Sequence, residues 1–305
     1  MAEPQPTIGY LAQVACTWEV LARKAGNVCP GREFADLTVN DFLASAAAIA
    51  PVLEQAPYQP LGVTILRCIE ETRKVVDTNT NLGIVLLLAP LASVPLDQPL
   101  RRGVRDVLGR TTVEDSRKTF AAIRLARPGG LGDVKEQDVK GEPTLPLREV
   151  MTLAKDRDRI AAQYATDYEF LFEGGVPHLI NRAQQRKNIE WAIVETQLSF
   201  LNFAIDSHVL RRHGVTEANN VVLAARTCAH IGSMDNRQGR QAFLDLDTFL
   251  RSDNHARNPG TTADMIAAAL FVALREKQIA LDSPFTWDDH PFSEPEALAK
   301  REFLR

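Results

Sequence analysis

Residues 76–90 read Val76-Asp77-Thr78-Asn79-Thr80-Asn81-Leu82-Gly83-Ile84-Val85-Leu86-Leu87-Leu88-Ala89-Pro90. A polar Thr-Asn-Thr-Asn approach runs straight into a segment with no polar face. A helix that is apolar all round is buried on every side. Its first turn carries N–H groups without intrahelical partners and the positive end of the helix dipole. Gly83 lets another group approach the backbone closely. Such an N-terminus suits phosphate, with Asn79 and Asn81 as candidate contacts. Ordinary capping by Thr78 or Asn79 explains the same pattern.

Working outward, helical periodicity dominates. Amphipathic or buried helices are predicted over 7–24, 39–55, 60–75, 81–94, 98–109, 113–126, 147–173, 186–213, 216–231, 237–251 and 261–278. No period-two alternation and no internal repeat competes. The expected fold is all-α: one globular multi-helix catalytic domain over 1–282 with buried central helices, then a Pro-rich, charged tail over 283–305. The Gly- and Pro-containing loops at 26–38 and 127–146 are long for a compact helical protein, and such loops often carry function.

The 305 residues are 45% apolar with a formal net charge of −4. That is enough for a sizeable core, and without a basic run it argues against nucleic acid as a partner. Cys16, Cys29, Cys68 and Cys228 form no metal-spaced pair and point to a reducing compartment. The N-terminus lacks a basic signal-peptide start, and the longest apolar run, Leu82 to Ala92, is too short to cross a bilayer. A cytoplasmic protein with no membrane partner is expected.

Five segments hold candidate chemistry. In 151–164, helical spacing sets Arg157 on the apolar stripe of Val150, Ala154, Ala161, Tyr164, Tyr168 and Leu171, with Asp158 at its edge and Gln163 nearby. These form either an internal Arg–Asp lock or a polar site inside a bundle. Pro128-Gly129-Gly130-Leu131-Gly132 precedes Asp138, and its glycines could wrap a phosphate or a ribose. Asn258-Pro259-Gly260-Thr261-Thr262-Ala263-Asp264 opens a helix. Thr261 and Asp264 have capping-box spacing, while Asp264 could instead bind a divalent metal. Asp206-Ser207-His208 lies within a near-apolar run, and Arg211, Arg212 and His213 after it read as compensation of a helix C-terminus. Lys24, with Glu19 before it and Asn27 after it, could hold phosphate as a point charge.

Taken together these pieces resemble the triphosphoribosyl-dephospho-coenzyme A synthases. The matching segments run in order: Lys24-Ala-Gly-Asn-Val28, Asp41-Phe-Leu-Ala-Ser-Ala46, Asn79-Thr-Asn-Leu-Gly83, Ala126-Arg-Pro-Gly-Gly-Leu-Gly132 with Asp138-Val139, Ala154-Lys-Asp-Arg-Asp158 with Ala162-Gln-Tyr164, Asp206-Ser-His208 and Pro259-Gly-Thr-Thr-Ala-Asp264. They cover roughly residues 12 to 275. The resemblance implies transfer of the triphosphoribosyl group of ATP to 3′-dephospho-coenzyme A, with release of adenine. It implies Mg²⁺ with the triphosphate and a carboxylate that activates the acceptor hydroxyl. The implied binding set is Lys24, Asn27, Asn79, Asn81, Gly129, Gly130, Gly132, Arg157, Gln163, Tyr164, Gly260, Thr261 and Thr262. Asp158, Asp138 and Asp206 are the implied catalytic carboxylates, and Asp264 and Asp206 the metal ligands. The partners are small-molecule nucleotides and, for protein, at most a second copy in a homodimer.

The chain departs from the citrate-lyase members at Ala25-Gly26-Asn27-Val28-Cys29 and Phe34-Ala35-Asp36. It looks there like a branch found with methanopterin-type cofactors. The alternatives are therefore a ribosyl or phosphoribosyl transferase with another acceptor, and a non-catalytic helical protein whose motifs are caps and ion pairs.

Overall fold

A computed structural model describes residues 5–130, 132, 134, 136–232, 234–286 and 291–293. Among these residues there are thirteen α-helices and no strand: α1 (Ile8–Leu21), α2 (Val39–Glu54), α3 (Leu61–Val75), α4 (Leu82–Ala92), α5 (Leu100–Gly109), α6 (Val113–Ala126), α7 (Leu147–Ala154), α8 (Arg159–Ala165), α9 (Val176–Arg186), α10 (Ile189–Phe203), α11 (Ser207–Ile231), α12 (Arg237–His255) and α13 (Gly260–Arg275). The all-α, single-domain expectation holds. No helix among the described residues is long and apolar enough to cross a membrane.

Two helices form the centre. In α4 every residue but Gly83 is buried, and in α13 every residue from Met265 to Arg275 is buried. They pack on each other, and α1, α8, α9, α10 and α11 surround α13. A smaller apolar cluster joins α10, α11 and α12 through Trp191, Val194, Val221, Phe243 and Leu250.

Pro90 lies inside α4 and has no N–H to donate to the Leu86 carbonyl one turn earlier. The wholly buried Tyr164 hydroxyl donates to that carbonyl instead, at 2.6 Å, and the Tyr168 hydroxyl donates to the Leu87 carbonyl at 2.9 Å. Tyr164, expected as a binding residue, is buried here and repairs a Pro-broken ladder. Burial pushes both phenols far above their usual range.

Helix boundaries differ from expectation in three places. The predicted helix over 147–173 is interrupted after Ala154, and Asp158 caps a new helix by accepting from the N–H groups of Ile160 (2.8 Å) and Ala161 (3.2 Å). The predicted helices over 186–213 and 216–231 are divided elsewhere: α11 starts at Ser207 and bends at Gly214, where φ is +83°. Helix α9 was not expected at all. Most of the predicted tail lies outside the described residues. Its described part packs on the body: Ile189 N–H donates to the Pro284 carbonyl at 2.8 Å, and Phe292 lies 5.3 Å from Phe243.

Candidate active site

The N-terminal turns of α4, α8, α11 and α13 open onto one cleft of about 400 Å³. Residues from each of these turns line it, including Asn79 to Ile84, Asp158 and Ile160, His208, and Gly260, Thr261, Ala263 and Asp264. Convergent helix starts aim positive dipole ends at one volume, which favours an anion.

Each start is fixed by a specific contact. The Asn79 Oδ1 accepts from Leu82 N–H, the first of α4, at 3.1 Å, while Asn81 holds the cap position. Asn81 is buried and donates to the Thr72 hydroxyl at 2.9 Å. Asp206 Oδ1 accepts from His208 N–H (2.9 Å) and Val209 N–H (3.1 Å), capping α11. Its Oδ2 accepts from both the N–H (2.7 Å) and the hydroxyl (2.8 Å) of Thr262. One carboxylate thus ties the start of α11 to the start of α13. The Ser207 hydroxyl reinforces this tie at 3.0 Å from the Thr261 hydroxyl. The expected Thr261–Asp264 capping box does not form, because the cap arrives from Asp206 on another helix.

Asp264 is thereby free to face the cleft. Its carboxylate rests on Gly83: a Cβ there would stand 2.0 Å from Oδ2 and 2.5 Å from Cγ. The close approach expected at Gly83 is real, and the approaching group is this side chain. A second absent side chain, at Gly260, leaves room for the His208 ring, whose Nδ1 a Cβ would meet at 2.6 Å. Burial holds the Asp264 carboxyl well above the usual carboxylate range. Glu19, Asp206 and Asp158 push the same way, and Arg211 opposes them.

Cations stand across from these carboxylates. The Arg211 Nη1 lies 3.4 Å from Asp158 Oδ2, and its Nε donates to the Gly129 carbonyl at 3.3 Å. Gly130, at φ +75°, packs on the Arg211 carbonyl and the Arg212 side chain. The Arg212 Nη1 is 3.5 Å from His208 Nε2. Burial pushes the His208 imidazole below its usual range; Asp206 opposes this, and Arg211 and Arg212 add to it. A neutral ring with the proton on Nδ1, 3.1 Å from the Asn258 carbonyl, satisfies both neighbours.

The remaining wall comes from the loop after α1. Lys24 has no exposure; its Nζ lies 2.9 Å from Glu19 Oε1 and donates to the Ala22 carbonyl at 3.2 Å. Lys24, expected to hold phosphate, instead fixes Glu19, a residue of the cleft lining. Asn27 is buried and joins the cleft wall to Asn258 at 2.8 Å and to Gln197 at 2.8 Å. Gly26 N–H donates to Asp247 at 2.7 Å, and Arg23 forms a two-pronged pair with Glu190 at 2.6 and 2.8 Å. The hydrogen bonds of Lys24, Gly26 and Asn27 tie this stretch of the loop to the body.

Of the predicted residues, the cleft brings together Asn27, Asn79, Asn81, Gly129, Asp158, Gly260, Thr261 and Asp264. Gly130 and Thr262 lie just behind it. Arg157 does not reach it: the side chain is exposed and its Nη1 only meets the Leu153 carbonyl at 3.4 Å, because the break after Ala154 turns it to solvent. Asp138 closes its own loop by accepting from Val134 and Lys140 N–H, 2.9 and 2.8 Å, contacts that hold its carboxyl below the usual range. It takes no place in the cleft, and neither does the exposed Gly132. Gln163 is buried and donates to the Arg159 carbonyl at 3.3 Å, away from the cleft lining. Asp206, expected as catalyst and metal ligand, clamps the starts of α11 and α13, with both carboxylate oxygens accepting from protein groups. Among the described residues no three His, Cys, Asp or Glu side chains converge to hold a metal by themselves.

Arg211, Arg212, Arg127, Glu19 and Asn258 are cleft residues missing from the predicted set. For the two adjacent arginines the available signal was Asp206, which marks a helix start and so places them one turn inside it.

The family model of the ATP:dephospho-CoA triphosphoribosyl transferases matches residues 5–283 of the chain. A crystal structure of a protein from Archaeoglobus fulgidus, provisionally named triphosphoribosyl-dephospho-CoA synthase, superposes with a TM-score of 0.62 at 26% sequence identity. The superposition covers 78% of this chain and 100% of that one. No curated sequence matches the chain.

Proposed function

The chain belongs to the ATP:dephospho-CoA triphosphoribosyl transferase family, and on that premise we propose that the cleft at the four helix starts is the site of transfer. The enzyme moves the triphosphoribosyl group of ATP to dephospho-CoA, and mass balance then leaves adenine as the other product. The observation that carries the site is the convergence of the starts of α4, α8, α11 and α13 beside Arg211 and Arg212. The positive ends of these helices and two guanidinium groups provide what a triphosphate needs.

In this reading Arg211 and Arg212 hold the triphosphate, and Asp158 orients Arg211. The acceptor hydroxyl attacks the ribose anomeric carbon, the bond to the adenine nitrogen breaks, and the electron pair leaves with adenine. Asp264 takes the hydroxyl proton. Burial keeps this carboxyl protonated in the substrate-free protein; that proton would leave beside Arg211 and Mg²⁺ when ATP binds, giving a carboxylate that accepts the hydroxyl proton. Its seat on Gly83 holds it in one place while the ligands exchange. Glu19, fixed by Lys24, faces the same volume.

Mg²⁺ fits this donor set. Asp264 titrates high first because it is buried and then because Glu19, Asp206 and Asp158 crowd it, and a cation relieves the crowding. With too few converging protein ligands for a closed site, Asp158 and Asp264 would share Mg²⁺ with phosphate oxygens, the usual arrangement for this ion. When bound, it would neutralise charge on the triphosphate. The four described cysteines are free and buried, which supports a cytoplasmic setting.

Arg211→Met tests the site. The KM for ATP is expected to rise at least tenfold, with the KM for dephospho-CoA little changed. An unchanged KM for ATP would move the triphosphate elsewhere.

A further inference from the structure

One wall of the cleft is not used by the triphosphate or by the proton transfer. Phe34 and His255 both line it, and their rings stack with centroids 3.7 Å apart and planes 17° apart. Arg251 stands over Phe34 at 5.5 Å, while its Nη1 donates to the Arg32 carbonyl at 3.0 Å. Phe34 is buried among Val20, Val28 and Val39. His255 is only half-buried, and its Nδ1 has no hydrogen-bond partner among the described residues. Among the described residues no hydrogen bond to Nδ1 accounts for this imidazole on the cleft wall.

The backbone that presents it is strained. Asp253, Asn254 and His255 are consecutive non-glycine residues at φ +55°, +56° and +59°. A run of left-handed residues persists only when its surroundings impose it. Arg257 imposes it here. Its Nη1 lies 2.8 Å from Asp253 and donates to the Ser252 hydroxyl at 2.6 Å, and its Nε pairs with Glu217 on α11. This clamp turns Asn254 and His255 into the cleft and ends α12 there.

We propose that the Phe34–His255 stack is a purine platform on which an adenine ring lies flat. The proposal rests on the cleft being the transfer site. A flat, nearly parallel pair of rings offers a π-face to a base, and base–aromatic stacking is an established source of affinity. Both substrates carry adenine, so the donor and the acceptor are the two sources to separate. The wall and the helix starts that would hold phosphate line one cleft, so one nucleotide can touch both.

The test uses two variants of the full chain, His255→Ala and Phe34→Leu. The second keeps apolar volume beside Val20, Val28 and Val39 but removes the flat ring. Binding of ATP, dephospho-CoA and inorganic tripolyphosphate is measured by calorimetry, with helicity checked by circular dichroism. Both variants are expected to lose about tenfold or more in affinity for ATP or for dephospho-CoA, with tripolyphosphate unchanged. Loss for ATP alone assigns the platform to the donor base, and loss for dephospho-CoA alone assigns it to the acceptor. Unchanged affinity for both nucleotides in folded variants overturns the platform and leaves the transfer site standing. Equal loss for tripolyphosphate also overturns it, because the variants then act on phosphate. If the wild-type protein binds no tripolyphosphate and no ATP, the transfer-site reading falls and the platform falls with it.

Discussion

The Asp264 carboxylate occupies the space that a side chain at Gly83 would fill, 2.0 Å from the position of a Cβ. Helix α13 thus delivers its carboxylate onto the first turn of α4, and the two central helices meet at the site. Gly83→Ala must displace Asp264 or shift α4. Alanine favours a helix over glycine by about 1 kcal/mol, while overpacking costs about 1–3 kcal/mol. Net stability should therefore fall by no more than about 2 kcal/mol. Activity should fall far more, about 100-fold in kcat/KM, since misplacement of a reacting group by about 1 Å has that effect. Steady-state kinetics beside thermal unfolding of the same variant checks this. Full activity in Gly83→Ala would show that Asp264 need not sit there.

Asp158 has two ties, as the cap of α8 and as the partner of Arg211 at 3.4 Å. Asparagine caps a helix as well as aspartate does. Asp158→Asn is therefore expected to keep stability within about 0.5 kcal/mol, well short of the roughly 3–5 kcal/mol for breaking a buried pair. The lost charge frees Arg211, so KM for ATP should rise severalfold with kcat largely kept. A collapse of kcat at unchanged KM would instead make Asp158 the base.

The fold was legible where one stretch of sequence carried the whole signal. Helix α4 has no polar face, so its burial follows from composition alone. The capping box of α2, Thr38 with Asp41, is a local pattern and forms as such. Failures came where distant groups set the local outcome. Arg157 was projected onto an apolar stripe by assuming one continuous helix; Asp158 capping α8 ends that continuity. Arg211 and Arg212 read as compensation for a helix end, yet α11 begins at Ser207, so they stand near a helix start. Helix α9 was hidden by Gly174, Gly175 and Pro177. Proline is harmless in the first turn of a helix, where its missing N–H has no partner to lose. The tie from Asp206 to Thr262 joins residues 56 apart, and no spacing rule reaches that far.

Asp264 also predicts a pH dependence of stability. Its folded pKa lies above the unfolded value, so between the two the native state holds a proton that the unfolded chain has lost. Stability then falls as pH rises through that window, opposite to an ion-paired carboxylate. Asp264→Asn removes the titration. The variant should be more stable than the wild type near neutral pH, and the difference should shrink toward pH 4. Unfolding midpoints of both proteins between pH 4 and 8 decide it. A variant less stable than wild type at neutral pH would contradict the buried, proton-holding carboxyl.

The central claim is that this cleft transfers the triphosphoribosyl group, with Asp264 accepting the hydroxyl proton. Adenine release from ATP in the presence of dephospho-CoA, followed by chromatography on wild type and on Asp264→Asn, tests it most directly. The account predicts adenine release by the wild type that requires dephospho-CoA. It also predicts a loss of about 10²–10⁴-fold in the variant, the usual contribution of a general base, with helicity unchanged. Adenine release at the wild-type rate by Asp264→Asn would contradict it.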